Sequence, residues 1–571
     1  MTTPATPTSV TPSAPRGGGF IAFLLIAVPI ALVTLAFAAK FGYVGMPPGA
    51  RVGMIFALLL AMMLTGMPIS IALGLTVLTY IFTLTTLPVE AIALKLFTGI
   101  EKFEIMAIPF FILAGNFLTH GGVARRMIDF ATSLVGHWHG GLALAGVIAC
   151  SLFAAVSGSS PATVVAIGSV ILPAMVAQGF PKRFGAGVIT TSGSLGILIP
   201  PSIPMVIYAV STNTSVGALF MAGVVPGLML AFLLGLTTWH LARKNNYPRM
   251  RPEGDRTSGK ATASAFGGLL ACAIVTTFPL FIGWGVGLVT APLQSLQSLF
   301  TGDIGGFLGV TNRFNIANGF AMFLVSIAWL ILVGYLFPKR VGMGLLKFEA
   351  ARVWNAYWVS IWGLLLIVIV IGGIYSGLFT PTEAAAMSAV YAFFIAVFVY
   401  KDLKLSDVPR VLLDSASMSA MLLYIITNAV LFSFVMTSEG VPQTMADWII
   451  AQGFGPLGFL LVVNILLLLA GNVMEPSSII LIMAPILFPV AMKLGIDPVH
   501  FGILITVNME VGLCHPPVGL NLYVASGITK MGITELTIAV WPWLRTMLLF
   551  LIVVTYWPGL SLWLPKALGM M

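Results

Sequence analysis

Apolar positions run through this chain in long stretches, without the alternation of a barrel strand or the narrow apolar stripe of a soluble helix. Residues 20–39, 220–239, 319–337 and 543–564 are each long enough to cross a bilayer. The whole pattern predicts roughly 12 to 14 helical spans of about 20 residues each. Elsewhere the stretches are shorter. Residues 143–156 and 162–178 form apolar arms around the polar segment SGSSP at 157–161, and residues 457–470 and 479–492 flank GNVMEPSS at 471–478. Each arm is short for a complete crossing, so both pairs read as re-entrant hairpins with polar tips; ordinary interfacial loops are the alternative.

Each hairpin is followed by an interrupted helix, and the two interruptions match. Residues 189–201 read ITTSGSLGILIPP and residues 505–517 read ITVNMEVGLCHPP, a constant 316 positions apart. At that offset Ile189 falls on Ile505, Thr190 on Thr506, Gly196 on Gly512, Pro200 on Pro516 and Pro201 on Pro517. Pro173, Gly179 and Pro226 fall on Pro489, Gly495 and Pro542. A hairpin followed by a broken helix thus occurs twice, with the breaks expected within 187–210 and 503–526. Paired Gly- and Pro-interrupted helices are how secondary transporters build a site near the bilayer midplane.

Composition agrees with the pattern. The 571 residues are 59% hydrophobic and 8% charged, against roughly 45–50% and 25% in soluble domains. This predicts an all-α polytopic membrane protein. The net charge of +9 is scattered over short connections and forms no nucleic-acid groove. Arg243, Lys244, Arg249, Arg251, Arg256 and Lys260 in one polar stretch, and Lys401, Lys404 and Arg410 in another, mark cytoplasmic loops under the positive-inside rule. Residues 1–19 read as a flexible tail, 20–245 as the first spans and first repeat, 246–350 as a polar linker with an inserted pair of spans, and 351–571 as the second repeat. Cys150, Cys272 and Cys514 are isolated, which argues against a disulfide framework or zinc site.

The candidate chemistry lies in the repeat. A proline after Thr190–Ser194 frees upstream carbonyls, which are hard oxygen ligands, and nearby hydroxyls add to them. A helix-packing seam is the bland alternative for small residues. In the second copy Asn472, Glu475, Ser477 and Ser478 sit at the tip, with Asn508 and Glu510 in the broken helix. Ionisable groups inside a membrane element point to ion or proton binding, although Glu475 also stands where it caps the following arm. Glu383 in TPTEAAA reads as a helix-start residue, and His137 and His139 around Trp138 as an interfacial anchor. There is no GxxxxGK[ST] phosphate loop and no HExxH motif, so neither ATP hydrolysis nor another enzyme activity is expected, and no cofactor beyond coupling ions.

The segments IPFFILAGNFL at 108–118, SGSSPATVVAIGSVILPAM at 157–175, LGILIPPSIPMVIYA at 195–209, GLFTPTEAAA at 377–386 and GLCHPPVGLNLYVASGI at 512–528 resemble the large membrane subunit of tripartite ATP-independent periplasmic (TRAP) transporters. The resemblance covers roughly 50–245 and 355–565. It implies an ion-transporter-superfamily fold of two inverted repeats and an elevator mechanism. It also implies sodium symport of an organic acid anion in the bacterial inner membrane, with an extracytoplasmic substrate-binding protein and a small membrane subunit as partners. A stand-alone sodium/anion symporter, a channel and an energy-converting subunit are the alternatives. By that resemblance one sodium site involves Ser157, Gly158, Ser159, Ser160, Thr190, Ser192 and Gly193, and a second Gly471, Asn472, Met474, Glu475, Thr506, Asn508 and Gly512. Substrate is expected at Ser160, Ser192, Pro201, Ser477, Asn508 and Pro517. Glu475 and the pair Cys514–His515 depart from the family's usual residues.

Overall fold

The computed structural model describes residues 18–85, 88–248, 348–375, 377–453, 455–472, 474–516 and 519–571. The inserted spans, the polar linker beyond Pro248 and the tail before Gly18 lie outside those residues. The described chain is helical throughout, without strands. Nine of its helices are long and apolar enough to cross a membrane, and shorter apolar helices accompany them. Many of the large apolar side chains on these helices face outward, for example Phe232, Leu413 and Leu549. In water that would be costly; in acyl chains it is the favourable arrangement.

The helices form two compact units. One combines the residues up to Glu101 with Met421–Trp448, and the other comprises Lys102–Ala420 and Ile449–Met571. In the first unit Gly74 packs on the Asn428 side chain, whose amide donates to the Ser70 carbonyl at 3.2 Å. Both copies of the repeat lie in the second unit.

There the 316-residue offset reappears as helix boundaries. Ser160–Ala177 corresponds residue for residue to Pro476–Lys493, and Lys182 and Pro498 start the following helices. The preceding arms are Gly141–Ser157 and Pro456–Gly471. The second arms contain 18 residues each, longer than expected and sufficient for a crossing. Pro161 and Pro476 stand in their first turns, where a missing N–H costs nothing.

The two interrupted helices differ. In the first copy Lys182–Ser192 gives way to a 3-10 turn at Gly193–Ile197 before the helix resumes at Ile203–Thr212. In the second, Pro498–Cys514 stays α-helical and the chain resumes at Leu520–Thr529. Thr506, Asn508, Glu510 and Gly512 therefore occupy an intact helix, and the unwound segment expected around them lies beyond Cys514. The cause is local. GSLG at 193–196 supplies two glycines within four residues, whereas its counterpart MEVG at 509–512 supplies one, so the tighter turn is accessible only in the first copy. The apolar run at 543–564 also divides, because Ile533–Tyr556 ends before Pro558 and a short helix, Gly559–Ala567, follows.

Candidate functional site

Each hairpin tip is held against its own interrupted helix by a glycine. A Cβ on Gly196 would stand 2.7 Å from the Ser159 carbonyl, and one on Gly512 would stand 3.2 Å from Gly471 Cα. Gly196 and Gly512 are counterparts in the repeat, so the same close approach is built twice. Gly193 is pressed in the same way against Val164. At the first tip Gly158 has φ +59°, and a side chain there would meet the Pro201 carbonyl oxygen at 2.9 Å. That contact brings Gly158, Ser159, Ser160, Gly193, Gly196 and Pro201 into one locality.

The hydroxyls are partly spent on the backbone. Thr190 donates to the Ala186 carbonyl at 2.7 Å, and its counterpart Thr506 donates to the Gly502 carbonyl at 2.8 Å. Ser157 and Thr163 lie 3.0 Å apart, and Thr163 donates to the Ser159 carbonyl at 2.8 Å. Such bonds use the hydroxyl hydrogen and leave an oxygen lone pair for a cation. Ser202 caps the resumed helix by accepting from the Met205 N–H at 3.4 Å and donates to the Ile197 carbonyl, which stitches the break together.

The second half-site is assembled otherwise than expected. Asn508 turns towards the first arm of the second hairpin and donates to Asn464, at 3.0 Å to its carbonyl and 2.8 Å to its side-chain oxygen. Asn472 lies 2.7 Å from His515 Nδ1. Glu475 occupies the N-cap position of Pro476–Lys493 without a side-chain bond to its backbone, and accepts from Ser478 at 3.2 Å. Capping is therefore not what Glu475 does there. Gly471 meets Gly512, Ser477 is buried, and Met474 lies beside the tip. Pro517 is outside the described residues.

Three fully buried polar atoms here have no hydrogen-bond partner among the described residues: Ser192 Oγ, Asn508 Oδ1 and Glu510 Oε2. Ser192 and Asn508 are counterparts at the 316-residue offset. Buried polar atoms are normally satisfied, so a matched pair of exceptions makes Ser192 and Asn508 candidates for ligand contact.

The halves are joined where expected residues meet partners outside the expected set. Ser160 exchanges hydrogen bonds with Asn521, at 2.7 and 3.0 Å, and Asn521 donates to the Thr190 carbonyl at 3.3 Å. Cys514 directs its thiol to the same carbonyl at 3.4 Å, and Ser194 Oγ lies 3.1 Å from Glu510 Oε1. Asn521 was detectable as the lone amide in an apolar helix. Ser194 was legible only as one hydroxyl among several. The helix start expected at Glu383 is present and takes the form of a capping box, with the Thr380 backbone N–H donating to Glu383 Oε2 at 2.8 Å. Among the described residues, no cluster of three His, Cys, Asp or Glu side chains has the geometry of a metal site.

A helical membrane domain with two hairpin-and-broken-helix half-sites is a transport protein of the repeat-built class. The family follows from comparison: the DctM component of tripartite ATP-independent periplasmic transporters matches residues 56–560, and the chain belongs to that family. It is 61% identical over 530 residues to the C4-dicarboxylate TRAP transporter large permease protein DctM of Rhodobacter capsulatus, covering 90% of this chain and 99% of that one. The protein of the same description from Pseudomonas aeruginosa is 47% identical, covering 84% and 91%. The 2,3-diketo-L-gulonate TRAP transporter large permease YiaN of Escherichia coli is 29% identical, covering 87% and 94%. Among solved structures, the YdaH transporter of Alcanivorax borkumensis is similar at a TM-score of 0.49 and 15% identity, covering 83% of this chain and 90% of that one.

Proposed function

We propose that this chain is the sodium-coupled permease subunit that carries a C4-dicarboxylate, or a closely related organic acid anion, across the bacterial inner membrane. The observation that carries the reading is the matched pair of half-sites: Ser192 and Asn508 with their unpartnered oxygens, each beside a glycine packed on its own hairpin. The names of the relatives at 61% and 47% identity support the substrate class.

In this reading the hairpins are re-entrant, and each half-site offers one sodium ion a set of carbonyl and hydroxyl oxygens. The resumed helices Ile203–Thr212 and Leu520–Thr529 supply two N-termini, whose partial positive charge suits the two carboxylates of a dicarboxylate. Substrate arrives from an extracytoplasmic binding protein, a small membrane subunit completes the assembly, and the repeat moves as an elevator. Two sodium ions with a dianion carry no net charge. A third cation would make transport electrogenic, adding about 2.3 kcal/mol per 100 mV for each net charge moved.

Uptake of labelled succinate into proteoliposomes, with and without a sodium gradient, the small subunit and the binding protein, tests the proposal. Accumulation is expected only with all three. Uptake that ignores both sodium and the binding protein would sink it in favour of a stand-alone carrier, and flux without saturation would indicate a channel.

A further inference from the structure

Outside both half-sites, the base of the first hairpin borders an open pocket of about 400 Å³, within the ~300–1,000 Å³ typical of small-molecule sites. Its polar lining is Asp129, Thr132, Ser133, Gln178 and Arg352, and its apolar wall includes Leu142, Val170 and Ile171. The chemistry is unlike that of the half-sites: one acid and one base over a greasy floor.

The cavity's depth in the membrane follows from its neighbours. Gly140, which starts the first hairpin, donates to the Pro248 carbonyl at 3.3 Å. Pro248 follows a helix whose last turn carries Arg243 and Lys244, the basic signature of a cytoplasmic end. Tyr247 stacks edge-on to Phe184 at 4.7 Å and lies 5.7 Å from Phe180, two residues beyond Gln178. Aromatic clusters of this kind sit at headgroup level. The helix Val123–Val135, which provides Asp129, Thr132 and Ser133, buries Val123, Met127, Ile128 and Ala131 and exposes Arg125 and Asp129. That is the pattern of a helix lying in the interface.

The charges are disposed to receive a zwitterion. Asp129 lies in the field of Arg125, Arg126 and Arg352, but Arg126 is engaged by Asp402 and by the Tyr400 ring at 3.8 Å. Arg352 is the cation on the cavity wall.

We propose that this cavity binds the headgroup of a phosphatidylethanolamine of the cytoplasmic leaflet, with the phosphate at Arg352, the ammonium at Asp129 and the acyl chains over the apolar wall. A primary ammonium has three hydrogens to share between the Asp129 carboxylate and neighbouring side-chain oxygens. Choline has no N–H to donate, and phosphatidylglycerol has no cation for Asp129.

The test is thermal unfolding of the full-length chain in detergent, with dioleoyl-phosphatidylethanolamine, -phosphatidylcholine or -phosphatidylglycerol added. A lipid that binds the folded state raises the midpoint. Wild type is expected to gain several degrees from phosphatidylethanolamine and less from the other two. Asp129→Asn should bring the phosphatidylethanolamine response down to that of phosphatidylcholine, and Arg352→Gln should weaken the response to all three. Asp129 is at an exposed position, so Asp129→Asn carries the test if Arg352→Gln does not fold. Equal responses to the three lipids in wild type, or a phosphatidylethanolamine preference that survives Asp129→Asn, would overturn the proposal.

Discussion

The Ser194 hydroxyl oxygen and Glu510 Oε1 stand 3.1 Å apart although 316 residues separate them, and the two positions are counterparts in the repeat. Ser194 has one hydroxyl hydrogen and a nearer acceptor, the Thr191 carbonyl at 2.7 Å. While Ser194 donates to Thr191, the Glu510 contact holds only if the glutamate position supplies a hydrogen. Glu510→Gln can supply one and should keep the melting temperature near wild type. Glu510→Ala removes the contact while Ser194 keeps Thr191, at a cost of about 0.5–1.5 kcal/mol for the lost hydrogen bond. Equal melting temperatures for the two variants would show that the contact carries no stability.

Gly196 and Gly512 should respond unequally to the same change. A methyl on Gly196 meets the backbone of Ser159 at 2.7 Å, whereas one on Gly512 meets Gly471 at 3.2 Å, tight but closer to ordinary contact. Overpacking of the first kind costs about 1–3 kcal/mol. Gly196→Ala is expected to lower both thermal stability and the response of transport to sodium; Gly512→Ala should do so less. The measurement is the sodium concentration for half-maximal uptake in each variant.

Asn521 bonds to Ser160 and to the Thr190 carbonyl across the two copies. Asn521→Leu keeps the number of side-chain heavy atoms and breaks these bonds, leaving Ser160 unpaired in a fully buried place. A loss of about 1–3 kcal/mol follows. Asn521→Leu combined with Ser160→Ala should recover part of it, because the stranded hydroxyl is gone. A double-mutant cycle on melting temperature reads the coupling.

Ser192→Ala and Asn508→Ala each remove an oxygen with no protein partner. Ser192→Ala should leave stability within about 0.5 kcal/mol of wild type, since no intramolecular hydrogen bond is lost. Both variants are nevertheless expected to raise the sodium requirement of uptake. Wild-type sodium activation in both would remove these residues from the ion sites.

Lys530 ends Leu520–Thr529 in the left-handed region at φ 53°, as Asn213 ends the counterpart helix at φ 54°. Asparagine tolerates that conformation and lysine less so. Lys530→Gly should therefore stabilise the protein by about 1 kcal/mol, seen as a higher melting temperature with uptake unchanged.

Much of the architecture was legible because membrane insertion imposes strong rules on sequence. The helix boundaries of both copies fall at the Gly/Pro offset read from the chain, and the helix start at Glu383 was readable from TPTEAAA. The course of the second broken helix was not. Proline at 516 announces a break, but whether the break reaches back to Asn508 depends on whether glycines upstream allow a tighter turn.

Alone, the sequence determined the helical membrane class, the duplication and the polar residues beside the breaks, since length, apolarity and helix breakers are properties of the chain itself. Only the tertiary structure decided partners. Asn508 goes to Asn464, Ser160 to Asn521 and Ser194 to Glu510, because residues far apart in sequence share a buried volume in which most polar groups must find partners. That same accounting leaves Ser192, Asn508 and Glu510 each with one unpartnered oxygen.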